Sequence, residues 1–123
     1  MGQIWKQEST SRSGVAVTYR IFRLPGVTED VFRAALVDEI LPTVAVPGLN
    51  RAMNVTGQRL RKVVGGDGPD AWLWTVEWFG PGNVRTAEEG TAGMLASVRE
   101  RIERIGLIVS AETARDEFGW TLE

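Results

Sequence analysis

The stretch Ala71–Gly80, AWLWTVEWFG, narrows the choice of fold more than any other in the chain. It holds three of the five tryptophans, Trp72, Trp74 and Trp78, all at even positions. Side chains of a strand alternate between faces, so these indoles share one side of a sheet with Val76. Such a face calls for a second layer packed on it. The indoles either fill a core there or wall a pocket for something flat and apolar.

The segments around this strand supply the second layer. Residues 15–24, VAVTYRIFRL, alternate as a strand and stop at Pro25-Gly26. Thr28 is placed as an N-cap, with Glu29 and Asp30 in a first helical turn. Val31, Phe32, Ala35, Leu36, Glu39 and Ile40 repeat at helical spacing behind it, so residues 28–41 read as an amphipathic helix. Pro42 ends that helix and Pro47-Gly48 marks a turn. A second strand is expected over about residues 50–63, and the loop GGDGPD joins it to the tryptophan strand. Thr86 and Glu89 have capping-box spacing, and Met94, Leu95, Val98, Ile102 and Ile105 continue one apolar stripe to Gly106. LIVSAETA, residues 107–114, closes as a fourth strand.

The expected order is therefore β-α-β-β-α-β, a ferredoxin-like α+β fold. Its usual strand order, 4-1-3-2, sets the tryptophan strand centrally with both helices on one face. Residues 15–114 form this domain, residues 1–14 a flexible arm, and residues 115–123 a short tail with Phe118 and Trp120.

Sorting strands by parity gives an apolar set: Val15, Val17, Tyr19, Ile21, Met53, Val55, the three indoles with Val76, and Leu107, Val109 and Ala111. These are expected under the helices. The opposite set is mixed, with Phe22, Leu73, Phe79 and Ile108 among Arg20, Asn54, Gln58, Glu77 and Glu112. Such a face fits a sheet-on-sheet contact between two copies, where paired charges and apolar patches coexist.

Composition removes whole classes of chemistry. A net charge of −2 gives no basic footprint for nucleic acid or an anionic membrane. The absence of cysteine and histidine removes disulfides, thiolate metal sites, His-based triads and the usual haem ligand. No cofactor or metal is expected, so acid–base work would fall to Asp, Glu, Lys, Tyr or the substrate. The polar start lacks the apolar core of a signal peptide, and Lys6 breaks the myristoylation pattern after Gly2. No apolar run approaches a membrane span, and a cytoplasmic location is the default expectation.

With the strand pattern and ILPTVAVPGLNR in view, the chain resembles the dimeric α+β-barrel superfamily, nearest to antibiotic-biosynthesis-monooxygenase-like and EthD-like proteins. The carriers are Pro42 and Pro47-Gly48 between the first helix and second strand, and a tryptophan-bearing third strand. The resemblance implies a homodimer whose sheets close into a barrel, with a pocket in each subunit between sheet and helices. It also implies a cofactor-free monooxygenase or cyclase acting on an aromatic or polyketide-like substrate. A non-catalytic protein of the same fold, binding a small ligand or serving as a scaffold, is the alternative. Haem-using members depend on a histidine, which this chain does not have.

Trp72, Trp74, Trp78 and Tyr19 are the expected substrate-binding residues, set against plain core packing. Tyr19 could orient a phenol or carbonyl, or merely carry its hydroxyl to the sheet end. Glu39 lies beside the apolar stripe of the first helix, where a raised pKa would make a base. Arg51 and Asn54 open the second strand, where related proteins carry polar pocket residues. Arg51 is more often a solvated strand-end charge, and Asn54 has the parity of the opposite face unless a bulge shifts it.

Overall fold

A computed structural model describes residues 2–9, 14–46, 53–66, 68, 70–80 and 82–123. Its strands are β1 (Trp5–Ser9), β2 (Gly14–Arg23), β3 (Asn54–Lys62), β4 (Ala71–Phe79), β5 (Gly106–Arg115) and β6 (Phe118–Leu122). The helices are α1 (Glu29–Ala34), α2 (Val84–Ala96) and α3 (Arg99–Glu103). The protein is thus α+β. One antiparallel sheet has the order β3-β4-β2-β5, and β1 and β6 form a second, two-stranded one.

Local chemistry sets the helix ends. Thr28 accepts a hydrogen bond from the Val31 amide at 3.3 Å and so caps α1. Beyond Ala34 the backbone widens into a π-helical turn, Ala35–Ile40, followed by a 3-10 turn, Leu41–Thr43. Pro42 offers no N–H, and its ring conflicts with an α-helical carbonyl four residues back, so the single helix expected over 28–41 loosens before it. The cap of α2 is Asn83, whose Oδ1 accepts from the Thr86 amide at 2.9 Å; the capping box expected at Thr86 and Glu89 is not the start. The expected long second helix is broken at Ser97–Val98. There Ser97 Oγ donates to the Met94 carbonyl at 2.7 Å, competing for a group the helix would use.

The core lies between the four-stranded sheet and the helices. Val15, Val17 and Ile21 of β2 and the even positions of β4 meet Phe32, Leu36, Ile40, Ala87, Met94, Leu95 and Ile102. The sheet face away from the helices has no layer of its own chain among the described elements.

Two strands depart from simple parity. In β3, Val55 pairs with Trp78 and Gly57 with Glu77, leaving Thr56 as an extra residue. This bulge reverses the strand's faces, so Gln58 and Leu60 turn toward the helices, not outward as alternation predicts for Gln58. In β5, Ile108 pairs with Ile21 and packs on the core, while Leu107 and Val109 lie on the bare face, 57% and 39% exposed. The expectation had these three reversed. Gly106 explains the choice: a Cβ there would lie 2.8 Å from Ile21 Cγ2 and 3.2 Å from Phe32 Cε2. Only glycine fits beneath α1 at this point, and Ile108 follows it on the same side. A register shift near Thr18 and Tyr19 then returns Glu112 and Ala114 to the bare face.

The ends of the chain also differ from an arm and a tail. Trp5–Ser9 pairs with Phe118–Leu122, Trp5 opposite Leu122 and Gln7 opposite Trp120. Alternating Trp5, Gln7 and Phe118, Trp120, Leu122 have strand period, which the short polar neighbours concealed.

The close fit of α2 yields a prediction. A Cβ on Gly90 would lie 2.4 Å from Trp78 Cη2, and that indole is buried and hydrogen-bonded. Alanine gains about 1 kcal/mol of helix propensity over glycine, but overpacking a core costs about 1–3 kcal/mol. Gly90→Ala should therefore destabilise by up to about 2 kcal/mol in chemical denaturation, whereas Gly93→Ala, which meets nothing within 4 Å, should stabilise.

Candidate functional site

The three indoles are engaged by packing and by hydrogen bonds. Trp74 is fully buried, stacks on Tyr19 at 6.1 Å between ring centroids, and donates through Nε1 to Gln58 Oε1 at 2.9 Å. Trp78 donates to Thr91 Oγ1 at 2.8 Å, and that hydroxyl donates to the Ala87 carbonyl. Trp72 rests on Phe32, its ring centroid 5.6 Å away, and its Nε1 lies 3.4 Å from Asp70 Oδ2. Among the described residues no buried side-chain polar atom lacks a partner. The small residues Ala92, Gly93 and Ala96 of α2 are exposed; Ala87 and Gly90 face the sheet, and Trp78 occupies the room.

Charges close the Trp72 end of the layer. Asp70 accepts from Arg23 Nε at 2.7 Å and lies 3.8 Å from Lys62, which also meets Glu29. The Arg23 hydrogen bond, helped by Trp72, holds the Asp70 carboxyl below its usual range against the cost of burial. Its contribution to stability is present above the unfolded-state pKa and is lost as pH falls through the lower folded-state value.

Three open hollows flank this layer. A largely apolar notch of about 230 Å³ is lined by Val37, Leu41, Pro42, Leu60, the edge of Trp74, Gln58 and Arg59. The bulge in β3 is what brings Gln58 here. Its amide Nε2 reaches the Leu41 carbonyl at 3.5 Å, a long bond that leaves donor capacity toward the notch. Parity alone assigned Gln58 to the opposite face; Gly57, a residue weak in strands, was the available sign of a bulge. A second hollow of about 290 Å³ lies at the β5 edge, where Tyr19 meets Glu88, Ser110, Glu112 and Thr113. The third, about 570 Å³, lies over the bare face between Arg59, Arg61, Thr75, Glu77 and Phe79.

The expected polar residues are dispersed. Tyr19 lies on the helix-facing side of β2, separated from the notch by the stacked Trp74 ring. Burial raises its phenol pKa, Glu88 adds to the rise, and Arg99 opposes it. The neutral hydroxyl is thereby favoured, which suits a hydrogen-bond donor and disfavours a base at neutral pH. Glu39 is exposed on the π-helical turn and does not line the notch. Asn54 is exposed opposite Phe79, because the bulge at Thr56 comes after it. Arg51 lies outside the described residues, as does Pro47-Gly48.

Tyr19 is the sole tyrosine, so its ionisation can be followed by ultraviolet absorbance. The midpoint should lie above 10.0 in the folded protein and fall back in denaturant. A raised folded-state value means that this stabilising contribution is complete below the unfolded pKa and is lost as pH rises through the folded one.

Among the described residues no group of three or more metal-ligating side chains is assembled, and no helix is long and apolar enough to cross a membrane. None of the protein-family models, curated proteins or solved structures compared with the chain matches it.

Proposed function

We propose that the chain is a ferredoxin-like protein of the dimeric α+β-barrel type, a homodimer through its bare sheet face, that binds a small aromatic molecule in the notch beside Trp74. The observation that carries the binding reading is the notch itself: five apolar residues, Arg59, and one amide whose donor is weakly engaged. That combination suits a flat apolar body with one carbonyl or phenol oxygen. A dry cavity of about 150 Å³ accepts benzene, so 230 Å³ suits one substituted ring. The strand order β3-β4-β2-β5, with the helices on one face, supports the ferredoxin-like reading.

Cofactor-free oxygenation or cyclisation of the bound ring is the second reading. It is favoured by the same amide, which can donate a hydrogen bond to an oxygen on which charge develops. Tryptophan fluorescence titrated with simple phenols and quinones, beside an oxygen electrode, separates the two. Quenching alone supports a binding protein, and quenching with oxygen uptake supports an oxygenase. No quenching by any of them overturns the notch as a ligand seat. Gln58→Leu should weaken binding about 5- to 13-fold, since one hydrogen bond to a ligand oxygen is worth about 1–1.5 kcal/mol.

A further inference from the structure

We propose that the β1–β6 ribbon is an association arm that lays its apolar face on the bare sheet face of a second copy of this chain. The inference rests on the dimer reading above and names the element that completes the contact. Cross-strand partners share a face, so Trp5 and Leu122 lie together with Phe118 and Trp120, while Lys6 and Thr121 point the other way. Trp5 is 62% exposed, Phe118 57%, Trp120 55% and Leu122 46%. A lone two-stranded ribbon is marginal in water and needs something packed on it.

Three observations make the occupant a second copy. The first is direction. Only Asp116 and Glu117 separate β5 from β6, and Asp116 lines the hollow over the bare face with Arg59 and Arg61, so the chain enters the ribbon from the side the sheet leaves uncovered. The second is area. The four exposed side chains offer roughly 500 Å² per chain, taking ~150–250 Å² for each whole aromatic. Leu107, Val109 and Phe79, 57%, 39% and 39% exposed, extend the apolar surface on the sheet. Ribbon and sheet together approach the ~800 Å² per partner of a standard interface, and exceed what a monomer ordinarily leaves bare. The third is charge. Residues 115–123 carry three carboxylates against one arginine, whereas the bare face carries Arg20, Arg59 and Arg61 against Glu77 and Glu112. The acidic arm is matched to that face and repelled by an anionic lipid surface.

Sedimentation velocity over the micromolar range tests the proposal with the full-length chain, unmodified and as Trp5→Ser/Trp120→Ser. Both side chains are outside the core, so the melting transition of the subunit should persist. The dimer dissociation constant is expected to rise at least ~30-fold in the double variant. A dimer that the double variant leaves within ~3-fold overturns the arm while the sheet-face dimer stands; an unmodified protein that is monomeric throughout overturns both. Loss of binding to phosphatidylcholine vesicles with an unchanged dimer assigns the ribbon to lipid instead. Acrylamide quenching of the unmodified protein gives a check independent of any variant. Quenching should fall as concentration rises through the dissociation constant, and quenching that does not change on association contradicts the proposal.

Discussion

Trp74→Ala is expected to remove about 3–5 kcal/mol of folding stability, the range found when a large core aromatic is truncated. Trp74 is fully buried at the middle of β4, with β3 and β2 on either side. Its ring fills the space between Tyr19 and the Leu41 end of the first helical layer, and neither the sheet nor the helices can close over the gap. The lost hydrogen bond to Gln58 adds little, because that side chain is exposed and water replaces the indole. Whole domains are stable by only about 5–15 kcal/mol, so the variant should lose much of its margin in urea. A loss below ~1 kcal/mol would mean that the ring lines an existing void and contributes little packing.

The second large effect concerns association. Leu73→Lys is expected to weaken the dimer at least ~30-fold, consistent with an interface hot spot worth 2 kcal/mol or more. Leu73 is half-buried on the bare face of the central strand β4, between Arg20 on β2 and Arg61 on β3. The substitution removes an apolar contact at the centre of the proposed interface. It also adds a third cation beside two arginines, and a symmetric contact counts that charge in both copies. The isolated subunit should change by about 1 kcal/mol or less, because a half-exposed strand position keeps its charge in water. Analytical sedimentation and denaturation of the same sample separate the two effects.

Much of the architecture was legible because the relevant signals are local. The indole parity of β4, Thr28 before Glu29 and Asp30, and the apolar stripe of residues 94–105 each report a face or an end directly. What stayed hidden depends on contacts between distant residues. The bulge at Thr56 is a property of the β3–β4 pair, and it decides that Gln58 meets Trp74. Leu107, Ile108 and Val109 are alike in polarity, so only the collision that excludes a side chain at Gly106 shows which faces inward. The terminal ribbon joins residues more than a hundred positions apart, beyond any window of periodicity. For the site, the sequence pointed to Trp74 and Tyr19 but not to the stacking that sets Tyr19 apart from the notch, and it pointed to Glu39 and Asn54, which the fold sends to solvent.

The proposed covering of the bare sheet face by a second copy is tested most directly by the mass of the unmodified protein. Sedimentation equilibrium at micromolar concentration and moderate salt should give a species of twice the 13.5 kDa chain, dissociating on dilution without unfolding. A single species of 13.5 kDa at every concentration would contradict it.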